Sequence, residues 1–306
     1  FAYLTEGSGP LVLMLHGFPD NAHTWRHQMP ALAAQGYRVV APFLKGYAPT
    51  DAPAVSGYDK AALVDDISAL VRQLSPDQPS YFVGQDWGAI IGYALLAAYP
   101  ERFKSAVLMA VPHPAEVAKS LLIPKHLHRS FHWWFFQMKD LPEAALRHDD
   151  MAFIDYLWSY WTTEGYTDEA HIRSVKDTLK QPGVLSASLA YYRAMFDASK
   201  TDPTHDSVRA LMSRPIRVPT LALCGADDLR ADQRTNQANH KARINHPPRS
   251  LHAVKAVDEF RDQKGKGIGK GTPGQPLADW ILHKDVRDHH NDGHGDHARN
   301  ELRHFI

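Results

Sequence analysis

The residues of this 306-residue chain best suited to chemistry are Gly84-Gln85-Asp86-Trp87-Gly88. They lie between a short apolar run at 81–83 and an apolar helical pattern at 90–98. Small residues flank the aspartate, as a strand that turns sharply into a helix requires, because no Cβ fits against the neighbouring elements there. That is the pattern of a nucleophile elbow with Asp86 at the nucleophile position. A carboxylate attacks saturated carbon and forms an alkyl ester, so its natural targets are strained or activated carbons such as epoxides and carbon–halogen bonds. A helix-capping Asp would explain the same five residues but would leave the companion segments unexplained.

The first companion is His16-Gly17-Phe18-Pro19, a tight turn after the first clear strand. Such a turn aims a backbone N–H into a site at the strand end. With the N–H of Trp87, that of Phe18 would form an oxyanion hole when water attacks an aspartyl ester. His16 reads as a structural partner of the turn. Hydrolysis of the ester also needs a base and a carboxylate to orient it. Asp227 and Asp228 follow a run at 218–224 and are the acid candidates, although an Asp there also suits a turn. For the base, His289, His290, His294 and His297 are available, and they fit a solvated His-rich tail or an adventitious metal site equally well.

Elements that could position these groups are legible as runs and periodicities. Apolar runs at 11–15, 37–43, 80–83, 105–111 and 218–224 alternate with helical patterns at 23–34, 58–74 and 87–98. Strands and helices in alternation imply a mainly parallel sheet covered on both faces. Ligands bind such sheets beyond the carboxyl ends of the strands, where residues 16–20, 86–87 and 227–228 fall. Between 112 and 214 the alternation stops, and the segment becomes helical and rich in aromatics. It reads as a lid inserted after a strand rather than as a helical domain without catalytic duty. The domain expectation is therefore a core at 1–112, a helical cap at 113–214, a second core piece at 215–230 and an atypical tail at 231–306. Residues 1–5 read as the end of a strand, so an earlier strand is expected to be missing from the chain.

Composition narrows the classes. Hydrophobic residues make up 44% and charged residues 22%, which is globular. Lys plus Arg and Asp plus Glu each total 34, so no basic field attracts nucleic acid or anionic lipid. The longest apolar stretch, 87–99, is too short to span a bilayer. One cysteine, Cys224, excludes an internal disulfide framework and reads as a packing residue. The tail differs: nine of the 19 histidines lie from His240 onward and residues 264–274 are low-complexity, so it reads as weakly ordered or aberrant.

Three segments, residues 16–20, Lys45-Gly46-Tyr47-Ala48-Pro49-Thr50-Asp51-Ala52-Pro53 and residues 84–89, resemble the α/β-hydrolase superfamily in its epoxide hydrolase and haloalkane dehalogenase branch. The resemblance covers residues 1 to about 229. It implies an α/β-hydrolase fold with an inserted helical cap. Ser130-Phe131-His132-Trp133-Trp134-Phe135-Phe136 and Ser188-Leu189-Ala190-Tyr191-Tyr192-Arg193-Ala194 resemble the cap segments that carry the ring-opening acids of epoxide hydrolases. Most members carry Tyr at both positions. Here the first falls on His132, as in a subset of bacterial enzymes with a His/Tyr pair, and the second on Tyr192. The same resemblance favours Asp228 as the acid by its spacing, no carboxylate lying near Ala110, the other place relatives use. It points to Gly293-His294 for the base, although the strand and acidic segment that normally surround it are missing.

The expectation is hydrolysis of a small apolar epoxide by water through an ester on Asp86, with no cofactor, nucleic acid or membrane partner. Two rivals stand beside it. Dehalogenases of this branch also carry Trp after the nucleophile, but many add an Asn where this chain has Phe18; fluoroacetate dehalogenases place Arg where it has Trp87. The other rival is an impaired hydrolase that lacks a competent base.

Overall fold

A computed structural model describes residues 1–53, 57–120, 122–162 and 168–224. Among them, six strands form one sheet: β1 (Tyr3–Glu6), β2 (Leu11–Leu15), β3 (Arg38–Pro42), β4 (Ser80–Gln85), β5 (Phe103–Met109) and β6 (Thr220–Leu223). Their order is β1-β3-β2-β4-β5-β6. Only the edge strand β1 runs antiparallel, against β3; the other pairings are parallel. Every residue of β2 is buried, as expected for a strand covered on both faces, whereas β1 is largely exposed.

Helices α1 (Gln28–Ala33), α2 (Lys60–Leu74) and α3 (Trp87–Ala98) join the core strands. The helical pattern at 23–34 splits into a 3-10 turn, Ala22–Trp25, and α1. Pro30 explains the break. A continuous helix would need its N–H to reach Arg26, whereas in the first turn of α1 that missing donor costs nothing. Asp59 caps α2 by accepting from the amides of Ala61 and Ala62, worth about 1 kcal/mol. All twelve residues of α3 are buried, which its uniformly apolar sequence demands.

Between β5 and β6 the chain forms α4 (Pro114–Ser120), α5 (Pro124–Arg129), α6 (Phe131–Phe135), α7 (Leu141–Arg147), α8 (Ala152–Trp161), α9 (Glu169–Lys180), α10 (Val184–Phe196) and α11 (Asp206–Leu211). Cys224, read as a packing residue, is half-buried. No helix among the described residues is long and apolar enough to cross a membrane.

Register sets the site. β4 lies between β2 and β5, with Leu15 opposite Gly84 and Gln85 opposite Met109. The segments that leave β2 and β4 therefore emerge side by side, at the carboxyl edge of the sheet.

Candidate active site

Asp86 occupies the turn from β4 into α3 with φ 52° and ψ −115°. A non-glycine residue in that region carries strain of about 1–3 kcal/mol, maintained only where the surroundings over-determine it. The surroundings here are close. A Cβ on Gly84 would lie 2.4 Å from the Gly88 oxygen, and one on Gly88 would lie 2.2 Å from the Leu15 oxygen. The backbone N–H of Asp86 donates to the Met109 carbonyl at 3.2 Å, and its carbonyl accepts from Ile90 at 2.9 Å. Both small residues flanking the motif are thus steric necessities of the crossing.

The Phe18 N–H donates to Asp86 Oδ1 at 2.9 Å. Gly17 makes this approach possible, since a Cβ there would sit 2.4 Å from both Cβ and Oδ1 of Asp86. Trp87 opens α3, so its N–H is one of the donors a helix leaves without an intrahelical acceptor. His16 locks the turn. Its Nδ1 donates to the Gly17 carbonyl at 2.9 Å, while Nε2 accepts from the Leu44 N–H at 3.0 Å. Burial holds its pKa below the ordinary value of 6.5 and so favours the neutral ring this pattern needs.

His132 and Tyr192, each 1% exposed, come from α6 and α10 and meet at the same place. Their ring centroids are 5.5 Å apart. Tyr192 also lies 5.6 Å from Phe18 and 5.2 Å from Trp87, ring to ring. Phe136 and Trp161 close the group, at 5.1 Å from Tyr192 and 4.8 Å from His132 respectively. Asp86, Phe18, Trp87, His132 and Tyr192 are therefore brought together: a buried carboxylate, a backbone donor on it and two polar rings within an aromatic wall. The indole N–H of Trp87 is buried with no hydrogen-bond partner among the described residues. Tyr191, beside Tyr192, instead donates to the Lys45 carbonyl at 2.6 Å and ties α10 to the core. Asp227, Asp228 and all the histidines from His240 onward, His294 among them, lie outside the described residues. Among the described residues no cluster of His, Cys, Asp and Glu could hold a metal ion.

Two buried groups are absent from the predicted site residues. Asp20, next to the turn, bonds through Oδ1 to His171 Nε2 at 2.7 Å, and both side chains are buried. Around it, Asn21 Nδ2 donates to Ser174 and Thr178 at 3.1 Å each, Trp158 Nε1 donates to the Pro19 carbonyl at 3.1 Å, and Arg26 pairs with Asp168. Helices α8 and α9 are thereby fastened to the segment that carries the Phe18 donor. Asp20 fell inside a motif already singled out, but His171 has no local signal at all.

The chain and its fold have counterparts among known proteins. A family described as alpha/beta hydrolase fold matches residues 10–259. The AB hydrolase superfamily protein YfhM of Bacillus subtilis is 33% identical over 65% of the chain and 71% of its own length. Epoxide hydrolase 4 of Mus musculus is 31% identical over 74% of the chain, but the chain spans only 63% of that protein. Among solved structures, an epoxide hydrolase of Vigna radiata superposes with a TM-score of 0.62 at 27% identity, covering 78% of this chain and 80% of that one.

Proposed function

The chain belongs to the α/β-hydrolase fold family, in its epoxide hydrolase branch, and from that premise we propose that it hydrolyses small apolar epoxides to vicinal diols through an ester on Asp86. The observation that carries the reading is the meeting of His132 and Tyr192 beside Phe18 and Trp87, the residues that flank the Asp86 carboxylate.

With Oδ1 held by the Phe18 N–H, Oδ2 is the oxygen that attacks an epoxide carbon. The carbon–oxygen bond breaks, its electron pair goes to the epoxide oxygen, and Tyr192 and His132 donate to the alkoxide that forms. The aromatic wall excludes competing water and suits an apolar substrate. In the second step water adds to Cγ of the ester. Oδ1 becomes the oxyanion, already beside the Phe18 N–H and within the field of the α3 amino terminus. Collapse expels the diol oxygen and restores the carboxylate. We assign the base and its orienting acid in this step to His294 and Asp228.

Dehalogenation through the same Asp86 is the second reading, favoured by the indole N–H of Trp87, which has no hydrogen-bond partner among the described residues. It ranks second because a halide needs two donors and the Phe18 side chain offers none.

Intact mass spectrometry after mixing with styrene oxide tests the proposal. An adduct on Asp86 is expected, absent in Asp86→Asn, and Tyr192→Phe should slow its formation by roughly 10²–10³-fold. Undiminished alkylation would remove Tyr192 from the mechanism. Halide release from bromoalkanes, with epoxides inert, would reverse the ranking. Sustained diol formation lost in His294→Ala would support that base, whereas a single burst with a lasting adduct would mark a chain without one.

A further inference from the structure

His132 and Tyr192 sit on different helices, 60 positions apart, yet ring opening requires both to reach one epoxide oxygen. Their separation depends on how α6 is held against α10. A single carboxamide joins the two: Gln137 Nε2 donates to the carbonyls of Trp133 and Tyr192, at 2.9 Å each. Trp133 follows His132 directly, and its carbonyl lies in the last turn of a short helix, where no backbone N–H of the helix is left to donate to it. The other carbonyl belongs to Tyr192 itself.

A second tie lies one residue further on. Arg193 Nε and Nη2 donate to the carbonyls of Phe136 and Met138, at 3.1 and 3.0 Å, in the loop between α6 and α7. The same guanidinium makes a two-point pair with Glu143 of α7, at 2.6 and 2.9 Å. That contact holds the Glu143 carboxyl below its ordinary pKa, so the pair stays charged. Arg193 thus uses the planar fork that a lysine lacks to wrap the end of α6 around the residue after Tyr192.

We propose that Gln137, Arg193 and Glu143 are positioning residues that set the spacing of the His132 and Tyr192 rings, and with it the enantiomer of epoxide that Asp86 attacks. The inference rests on the epoxide reading above. Two donors anchored on one oxygen define a plane, and the plane decides which enantiomer presents a carbon in line with the attacking carboxylate oxygen. Displacing one donor tilts it.

Gln137→Glu keeps the shape but turns an acceptor toward two carbonyl oxygens. Full-length protein and racemic styrene oxide are the reagents. The rate of Asp86 alkylation is read by quenched intact mass, and the enantiomer ratio of residual epoxide by chiral chromatography. The alkylation rate should fall by about 10–100-fold, the scale of a displacement near 1 Å, and the enantiomer ratio should change. Most of that loss should vanish when the substitution is made in Tyr192→Phe, since the spacing of a missing hydroxyl no longer matters. A merely structural role would give the same loss in both backgrounds and an unchanged ratio, and either result overturns the proposal. Should Gln137→Glu fail to fold, Glu143→Gln, which keeps volume and removes charge, must still shift the ratio. Absence of both adduct and diol in the wild type overturns the epoxide reading and this inference together; normal wild-type alkylation or diol formation with unaffected variants overturns this inference alone.

Discussion

Replacing Gly17 by alanine isolates the contact between the β2 turn and the nucleophile. The new Cβ would lie 2.4 Å from both Cβ and Oδ1 of Asp86 and 2.8 Å from Cγ, whereas ordinary contact starts at 3.4 Å. Gly17 is not among the positive-φ glycines, so alanine meets no backbone penalty and the perturbation is steric. The turn and the carboxylate must separate by about 1 Å, the scale at which a reacting group loses on the order of 10²-fold in rate. That movement also stretches the 2.9 Å bond from Phe18 beyond hydrogen-bonding length, removing a donor worth about 10²–10³-fold in the hydrolytic step. Overpacking adds a stability cost of about 1–3 kcal/mol. Quenched-flow mass spectrometry with styrene oxide would follow alkylation and decay of the adduct, and urea unfolding would follow stability. Gly36→Ala is the control: nothing lies within 4 Å, but φ is +82°, so stability alone should fall, by roughly 1 kcal/mol. Gly17→Ala with rates matching that control would refute the argument.

Two further outcomes concern the fastening of the turn. His171→Ala removes the 2.7 Å bond to the buried Asp20 carboxylate, leaving Oδ1 only the Asn21 N–H among the described residues, and should cost about 1–3 kcal/mol by urea unfolding; a loss below about 1 kcal/mol would show that water replaces the histidine. His16 is held below its ordinary 6.5 by burial, so in the unfolded chain it takes up a proton that the folded chain does not. Its contribution is complete above pH 6.5 and is lost as pH falls from there through the folded value, because protonation abolishes the acceptor for Leu44. The difference in unfolding free energy between pH 8 and pH 5 should therefore be smaller in His16→Gln, and equal slopes would exclude His16 as the source.

Local pattern determined the framework. The strand at Leu11–Leu15 and the helix at Trp87–Ala98 match the runs read from composition, since a continuous apolar stretch can only be buried. The elbow was legible for the same reason: glycines two residues on either side of Asp86 answer to clashes within a few residues and with the adjacent strand. Only Pro30 misled the helical pattern, because periodicity says nothing about a missing donor until the hydrogen-bond ladder is counted.

What tertiary structure decided is which distant groups touch. His132 and Tyr192 were singled out by resemblance, but their 5.5 Å approach depends on α6 and α10 being tied by Gln137 and Arg193. The contact between Asp20 and His171, 151 positions apart, left no trace in periodicity, charge or spacing. The level ends of β2 and β4, which put the Phe18 N–H on Asp86, follow from strand register rather than from either motif alone. Propensity and patterning act over a few residues, so they specify elements and turns. The meeting of side chains across elements is set by the packing of whole helices and strands, a property no segment carries by itself.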